Sequence, residues 1–191
     1  MRRYLVPVLM VLILLAGFGG YFFGKSELTG IQRKNAQLIK LNRQLEKKSM
    51  KQESEIAVFF IQSTPTRFYL KPVLVKVQSG SNVAEAALKA LFNGPPPQSE
   101  LLPIFPKGTQ ALSVKVSEGL ATVNLNQTAT ELNVGAEGES LAVGSIVNTL
   151  TKLPDIYEVQ ILIEGETVES LAGHVDLTRI FKYDDRIVKL K

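Results

Sequence analysis

Three groups of residues in this sequence have types and spacings that could perform chemistry. The first is Gly138-Glu139-Ser140-Leu141-Ala142, which nearly matches the nucleophile elbow G-x-S-x-G but ends in alanine. The second pairs His174, the single histidine, with Asp176, as a base and its orienting partner or as half of a metal site. The third is the carboxylate pair Glu137 and Glu139, the residue type that cleaves glycosidic bonds.

Each group also has a structural interpretation, and we favour it in all three cases. Ser140 precedes the histidine by a long stretch of chain, and acidic residues such as Glu137 and Glu139 stabilise the start of a helix. His174 and Asp176 are expected to hydrogen-bond the end of a sheet and the C-terminal turn. Cysteine is absent, which excludes thiolate metal ligands and a thiol nucleophile. We therefore predict no catalytic residue, no cofactor and no metal, and hence a protein that is not an enzyme.

Two adjacent polar residues lie beside the one apolar face of the second predicted helix. Asn148 and Thr149 are expected to cap or hydrogen-bond a nearby loop, such as the one at Gly94-Pro95. Contact with a ligand is the alternative role for this pair.

The N-terminal segment 1–24 predicts a membrane anchor with a short cytoplasmic tip. From Tyr4 to Phe23 the chain has 20 consecutive uncharged residues, enough to span the hydrocarbon core of a bilayer. Arg2 and Arg3 precede this run and favour a cytoplasmic N-terminus. A cleaved signal peptide is the alternative, and the rest of the chain is exported in either case. The predicted localisation is a single-pass membrane protein with its domain on the extracytoplasmic side.

The next segment, 25–55, predicts a basic helical stalk. It holds eight Lys or Arg against four Glu, which favours contact with anionic surfaces. A partial heptad allows either a solvated spacer or a weak parallel homodimer, because its seam is apolar only in the middle; the seam comprises Ile31, Lys34, Leu38, Leu41, Leu45, Lys48 and Gln52. Residues 56–191 hold twelve Lys or Arg against fourteen Asp or Glu, so we expect no nucleic-acid partner.

The remaining chain predicts one α+β domain over 56–180 and a charged, partly ordered tail over 181–191. Period-2 alternation predicts strands, among them a hairpin that turns at Glu118-Gly119 and a last strand that begins at Thr167-Val168. Apolar residues at helical spacing predict two helices, one from its capping residue Asn82 to Asn93 and one from Glu139 to Leu153. The loop from Pro95 to Thr109 should fold back on the domain or form a contact surface. The economical packing is two helices on one face of a mainly antiparallel sheet.

Several segments, in this order, resemble the GerMN domain, a family of bacterial envelope proteins of sporulation and spore germination. They are Ala86–Leu91, Asn93-Gly94-Pro95, Pro106–Thr109, Leu112–Val116, Gly119–Leu125, Glu139, Ser145–Thr151 and Gly173–Leu177. The resemblance marks ten residues as structural or interaction positions: Asn93, Gly94, Pro95, Gly108, Thr109, Glu139, Asn148, Thr149, His174 and Asp176.

The resemblance implies a non-enzymatic, exported module that mediates protein–protein assembly in the cell envelope, with envelope proteins as partners. It also implies similarity to ring-building domains of membrane-associated complexes. Binding of a cell-wall ligand, either peptidoglycan or a peptide, is the alternative function. That alternative depends on a few exposed aromatic residues, for which Phe105, Tyr157 and Tyr183 are the candidates.

Overall fold

The computed structural model describes residues 34–43, 53–78 and 82–189 of the chain. The chain forms two compact units, Met1–Ser49 and Met50–Lys191. In the first unit, residues 34–43 form a helix (α1) whose side chains are all exposed.

The expected anchor, Tyr4–Phe23, lies outside the described residues, as does most of the stalk predicted over 25–55. No helix within the described ranges combines the length and apolar character needed to cross a bilayer.

The second unit begins with a long β-hairpin. Strand β1 (Glu53–Ser63) pairs antiparallel with β2 (Phe68–Gln78) over their full lengths. Strand β1 therefore starts inside the segment predicted as stalk. Its side chains alternate between two apolar clusters, with Val58 and Phe60 in the main core and Phe59 and Ile61 in a smaller second cluster.

Helix α2 (Val83–Phe92) begins at the predicted cap, where the Asn82 side chain accepts a hydrogen bond from the Glu85 N–H at 3.1 Å. The Asn82 amide also donates to the carbonyl of Val114 at 3.2 Å. The following proline-rich loop folds back on the domain. It contributes the short strand β3 (Leu101–Leu102), which pairs with β1, and Phe105 packs edge-on against Phe92.

A second set of elements completes the unit. Strands β4 (Ala111–Ser117) and β5 (Leu120–Leu125) form the predicted hairpin. Glu118 and Gly119 both have positive φ in its turn, which matches the right-handed twist of the strands. The 3₁₀ turn Gln127–Thr130 leads to helix α3 (Ala136–Leu150), and then to strand β6 (Glu158–Ile163).

The α+β class and the mainly antiparallel pairing are correct, but the expectation of one sheet is wrong. The strands form two three-stranded sheets, ordered β2-β1-β3 and β4-β5-β6, and β6 runs parallel to β5. The parallel pair arises because α3 crosses between β5 and β6. Both helices contact strands of both sheets, and one core draws on all of them. The strand predicted at Thr167-Val168 is absent from the described region, where β6 has a bridge to Glu166 instead.

The described part of the charged tail predicted over 181–191 makes defined contacts with both sheets. Phe181 forms a bridge with Val159 of β6, and Val188 forms a bridge with Leu70 of β2. Residues 183–189, called the C-terminal strap below, lie over the second apolar cluster through Tyr183, Ile187 and Val188.

Candidate functional site: the cleft between helix α3 and the C-terminal strap

Helix α3 is buried along most of its length. Ten consecutive residues, Leu141–Leu150, are buried, because both sheets, α2 and the C-terminal strap surround the helix. The sequence predicted one buried face only. Complete burial requires each polar side chain of α3 to find a partner within the protein.

Glu139 satisfies this requirement with a loop that follows β6. Its carboxylate is fully buried and accepts three backbone hydrogen bonds, from Leu171 and Ala172 on one oxygen (2.8 and 2.9 Å) and from His174 on the other (2.7 Å). Glu137, two residues earlier, is exposed. The two carboxylates therefore do not form the pair that glycosidic cleavage needs, because both oxygens of Glu139 are occupied by backbone.

Asn148 and Thr149 each hold a different segment. The amide of Asn148 exchanges two hydrogen bonds with the backbone of Asp184, at 2.8 and 2.9 Å. The Thr149 hydroxyl accepts from the Phe59 N–H at 3.1 Å. The partner suggested by the sequence, the loop at Gly94-Pro95, is thus wrong for both residues.

A cleft of about 950 Å³ lies between α3 and the chain from His174 to Ile187. Its apolar lining includes Val143 and Val147 of α3, both buried, and Gly144. Its charged lining comprises Asp176, Arg179, Lys182, Asp184, Asp185 and Arg186. An apolar floor with a polar rim is the usual composition of a binding pocket, and this volume lies within the usual range.

Four of the six charged side chains of this cleft are hydrogen-bonded or ion-paired with neighbouring residues. The Asp184 carboxylate accepts from the Arg186 guanidinium at 2.8 and 2.9 Å, and this hydrogen bonding lowers the pKa of Asp184. The Asp176 carboxylate accepts from the hydroxyl and N–H of Thr178, which lowers the pKa of Asp176. Lys182 pairs with Glu158 at 3.0 Å. The lining contains three carboxylates and three cations, so its formal charges balance.

His174 and Asp176 both line the cleft, but the hydrogen bonds of the Asp176 carboxylate go to Thr178. His174 is fixed through its main chain, by Glu139. Ser140 also lines the cleft as an exposed residue of α3, one turn beyond the start of the helix. It does not occupy the tight strand-to-helix turn of a nucleophile elbow. Among the described residues, no cluster of His, Cys, Asp and Glu could hold a metal ion.

Three other family-motif positions meet at a smaller cleft of about 520 Å³, at the C-terminal end of α2. Asn93 ends the helix there, and Gly108 and Thr109 line the opposite side. The buried Thr109 hydroxyl donates to the Pro106 carbonyl at 2.9 Å, and Gly108 has a φ of 94°, which explains the glycine. Gly94 has a positive φ of 88° after the helix and leads into Pro95.

Eight of the ten motif positions therefore line one of the two clefts or make the buried contacts of α3, and Gly94 and Pro95 follow the end of α2. Sequence reasoning missed Asp184 and Arg186 as part of the larger cleft. The alternation of Phe181 and Tyr183, followed by Ile187, was a weak signal of an extended, half-buried segment.

Comparison with known proteins identifies the fold. A family model described as Germane, sporulation and spore germination, matches residues 57–169. A search of curated proteins found no match.

Solved structures with the same fold include the tandem GerMN domains of the sporulation protein GerM from Bacillus subtilis, with 23% identity and a TM-score of 0.61 over 72% of this chain and 48% of that chain. A putative lipoprotein from Clostridium perfringens has 25% identity and a TM-score of 0.52, over 73% of this chain and 95% of that one. The first GerMN domain of GerM alone has 19% identity and a TM-score of 0.53, over 66% and 92%. This chain spans about half the length of the tandem GerM structure. Because the family model matches more than half of the chain, the protein belongs to the Germane family of sporulation and spore germination.

Proposed function

We propose that this chain is a membrane-anchored, extracytoplasmic module that mediates protein–protein assembly in the cell envelope during sporulation or spore germination. Its family supports the process, and the uncharged run Tyr4–Phe23 after Arg2 and Arg3 supports the anchor and its orientation. One structural relative is itself named a putative lipoprotein. The partners on this proposal are envelope proteins.

The observation that carries the proposal is the hydrogen bonding of the polar side chains of α3. Glu139, Asn148 and Thr149 direct their hydrogen bonds to backbone groups of this same chain. Within the described residues, no buried side-chain nitrogen or oxygen lacks a hydrogen-bond partner. These side chains position loops around a cleft, and their hydrogen-bonding capacity is used within the chain, which favours a recognition surface over a reactive site.

The cleft also favours a second candidate function, the binding of a wall peptide. Its volume of about 950 Å³ suits a small ligand, and its balanced cations and anions suit a molecule that carries both amines and carboxylates. The experiment below has a separate arm for this candidate.

The test is crosslinking and affinity capture of the full-length tagged chain from growing and sporulating cells. Arg179→Glu reverses an exposed charge on the rim of the cleft, and Lys115→Glu makes the same change on strand β4, outside both clefts. We expect one defined envelope protein to be crosslinked to the wild-type chain and to Lys115→Glu, and its yield to fall about tenfold with Arg179→Glu.

Equal recovery with both variants would place the contact away from the cleft and contradict its role. Absence of any protein partner, together with sedimentation of the chain with purified cell wall, would replace assembly by ligand binding. Loss of that sedimentation in Arg179→Glu would then assign the ligand to the same cleft.

A further inference from the structure

The C-terminal strap covers residues that are much more deeply buried than the strap itself. Beneath it, Phe59, Leu70 and Leu141 have only 1%, 0% and 3% of their surface exposed. All seven strap residues are described, and none of them is buried. Segments with few buried side chains of their own open at a lower free energy than the core, and the strap has this property.

The strap has a limited main-chain attachment to the sheet. The Leu70 N–H donates to the Ile187 carbonyl at 2.7 Å, and the Lys189 N–H donates to the Leu70 carbonyl at 2.9 Å. The next residue of β2 that faces this edge is Pro72, which has no N–H to donate. Pairing of the strap with β2 is therefore confined to one residue of that strand in the described region.

The two hydrogen bonds between the Asn148 amide and the Asp184 backbone fasten the strap to α3, and further side-chain contacts complete the attachment. Tyr183 packs edge-on against Phe59, with ring centres 6.2 Å apart, and the Lys152 ammonium lies 4.0 Å from the Tyr183 ring centre. Ile187 lies against Gly144, where any side chain on the helix would collide with its terminal methyl group. These contacts define an aromatic site at Phe59 and an aliphatic site at Gly144. The strap residues that fill the two sites are four positions apart.

We propose that the C-terminal strap is releasable, and that the groove beneath it accepts an extended segment of a partner protein in its place. The occupant carries an aromatic residue followed four positions later by two aliphatic residues, matching Tyr183, Ile187 and Val188. The identity of the occupant as a partner rests on the proposed assembly function. The release of the strap does not.

The chemistry of the groove defines this occupant. The edge of β2 at Leu70 supplies one N–H and one carbonyl to any extended backbone, which is how strand addition gains affinity. The aromatic site at Phe59 and the aliphatic site at Gly144 select one aromatic and one aliphatic side chain at a fixed spacing. The tethered strap competes with the partner, so the apparent affinity equals the intrinsic affinity multiplied by the fraction of molecules whose strap is open.

The test uses the full-length chain in detergent and a fluorescent synthetic peptide of residues 182–189. Tyr183→Ala removes the aromatic anchor of the tethered strap and leaves the groove intact. We expect the peptide to bind this variant about tenfold more tightly than it binds the wild-type chain, by fluorescence anisotropy. Tyr157→Ala, which removes an exposed tyrosine elsewhere, should bind like the wild type, and a scrambled peptide should bind none of them.

Hydrogen exchange on the wild-type chain supplies a second measurement. The amides of Leu70 and Lys189 should exchange at least about tenfold faster than the β1 amides that pair with β2. Equal rates would overturn the releasable strap. Failure of the peptide to bind a folded Tyr183→Ala chain, or equal binding to that variant and the wild type, would overturn the acceptor groove.

Val188→Ser replaces Tyr183→Ala should the latter not fold, since it loosens the same strap without altering the contact with Phe59. Peptide binding without any captured partner would leave the strap mechanism standing and count against the assembly function. A captured partner without peptide binding would support the assembly function and overturn the acceptor groove.

Discussion

The buried carboxylate of Glu139 accepts a hydrogen bond from the backbone N–H of His174 at 2.7 Å, which links the first turns of α3 to a loop 35 residues later. The same carboxylate also accepts from Leu171 and Ala172. The side chain of His174 is thereby placed at the rim of the larger cleft, so a buried residue determines what that cleft displays.

Glu139→Gln should destabilise the domain by about 3 kcal/mol. The new amide nitrogen is a donor and would face at least one backbone N–H that donates to a carboxylate oxygen in the wild-type chain. Glu137→Gln is the matched control, since Glu137 is exposed on the same helix, and should change the free energy of unfolding by less than about 0.5 kcal/mol. Thermal unfolding followed by circular dichroism measures both. Similar unfolding temperatures for the two variants would contradict the structural role of Glu139.

The sequence predicted local elements well and the arrangement between them less well. The cap at Asn82, the turn at Glu118-Gly119 and the alternation of β4 and β5 are encoded by neighbouring residues, and the structure confirms them. The division into two sheets depends on contacts between distant residues, such as the Asn82 amide with the Val114 carbonyl. A pattern of apolar spacing contains no information about such contacts.

The candidate site was also predicted only in its local part, and its long-range contacts were not. The motif marked Glu139, Asn148 and Thr149, but their partners at 171–174, 184 and 59 could not be read from spacing. The C-terminal strap was missed because its charged residues outnumber its apolar ones, so its few half-buried side chains did not produce a period.

Asn148 and Thr149 should have separable effects although they are neighbours on α3. Asn148→Ala removes both hydrogen bonds to Asp184 and should accelerate amide exchange over residues 184–189. Thr149→Val keeps the shape of the side chain, removes the acceptor of the Phe59 N–H, and should cost about 1–3 kcal/mol. Hydrogen exchange with mass spectrometry distinguishes them. Faster exchange in the strap with Thr149→Val, but not with Asn148→Ala, would contradict the assignment.

Acid should loosen the C-terminal strap through Asp184. The Arg186 side chain holds the pKa of Asp184 below its ordinary value of 3.8. The ion pair therefore contributes stability that is present above that ordinary value and is lost as the pH falls through the lowered one. The effect should be small and should decrease with salt, because the Arg186 side chain is 84% exposed to solvent.

The measurement is the chemical shift of the strap amides, followed by NMR between pH 5 and 2. Arg186→Ala should raise the midpoint of the change at Asp184 towards the ordinary aspartate value. An unchanged midpoint in that variant would show that the arginine does not control the titration.

Gly144 and Ile187 should be energetically coupled, because a Cβ at position 144 would collide with the Cδ1 methyl of Ile187. Gly144→Ala gains about 1 kcal/mol of helix propensity but should lose about 1–3 kcal/mol by overpacking against the strap. Ile187→Val removes the colliding methyl and should cost about 1 kcal/mol on its own. In the double variant the collision is absent, so the loss should be smaller than the sum of the single losses by about 1 kcal/mol. Unfolding free energies of the four proteins test this, and strict additivity would mean that the strap does not rest on α3 at Gly144.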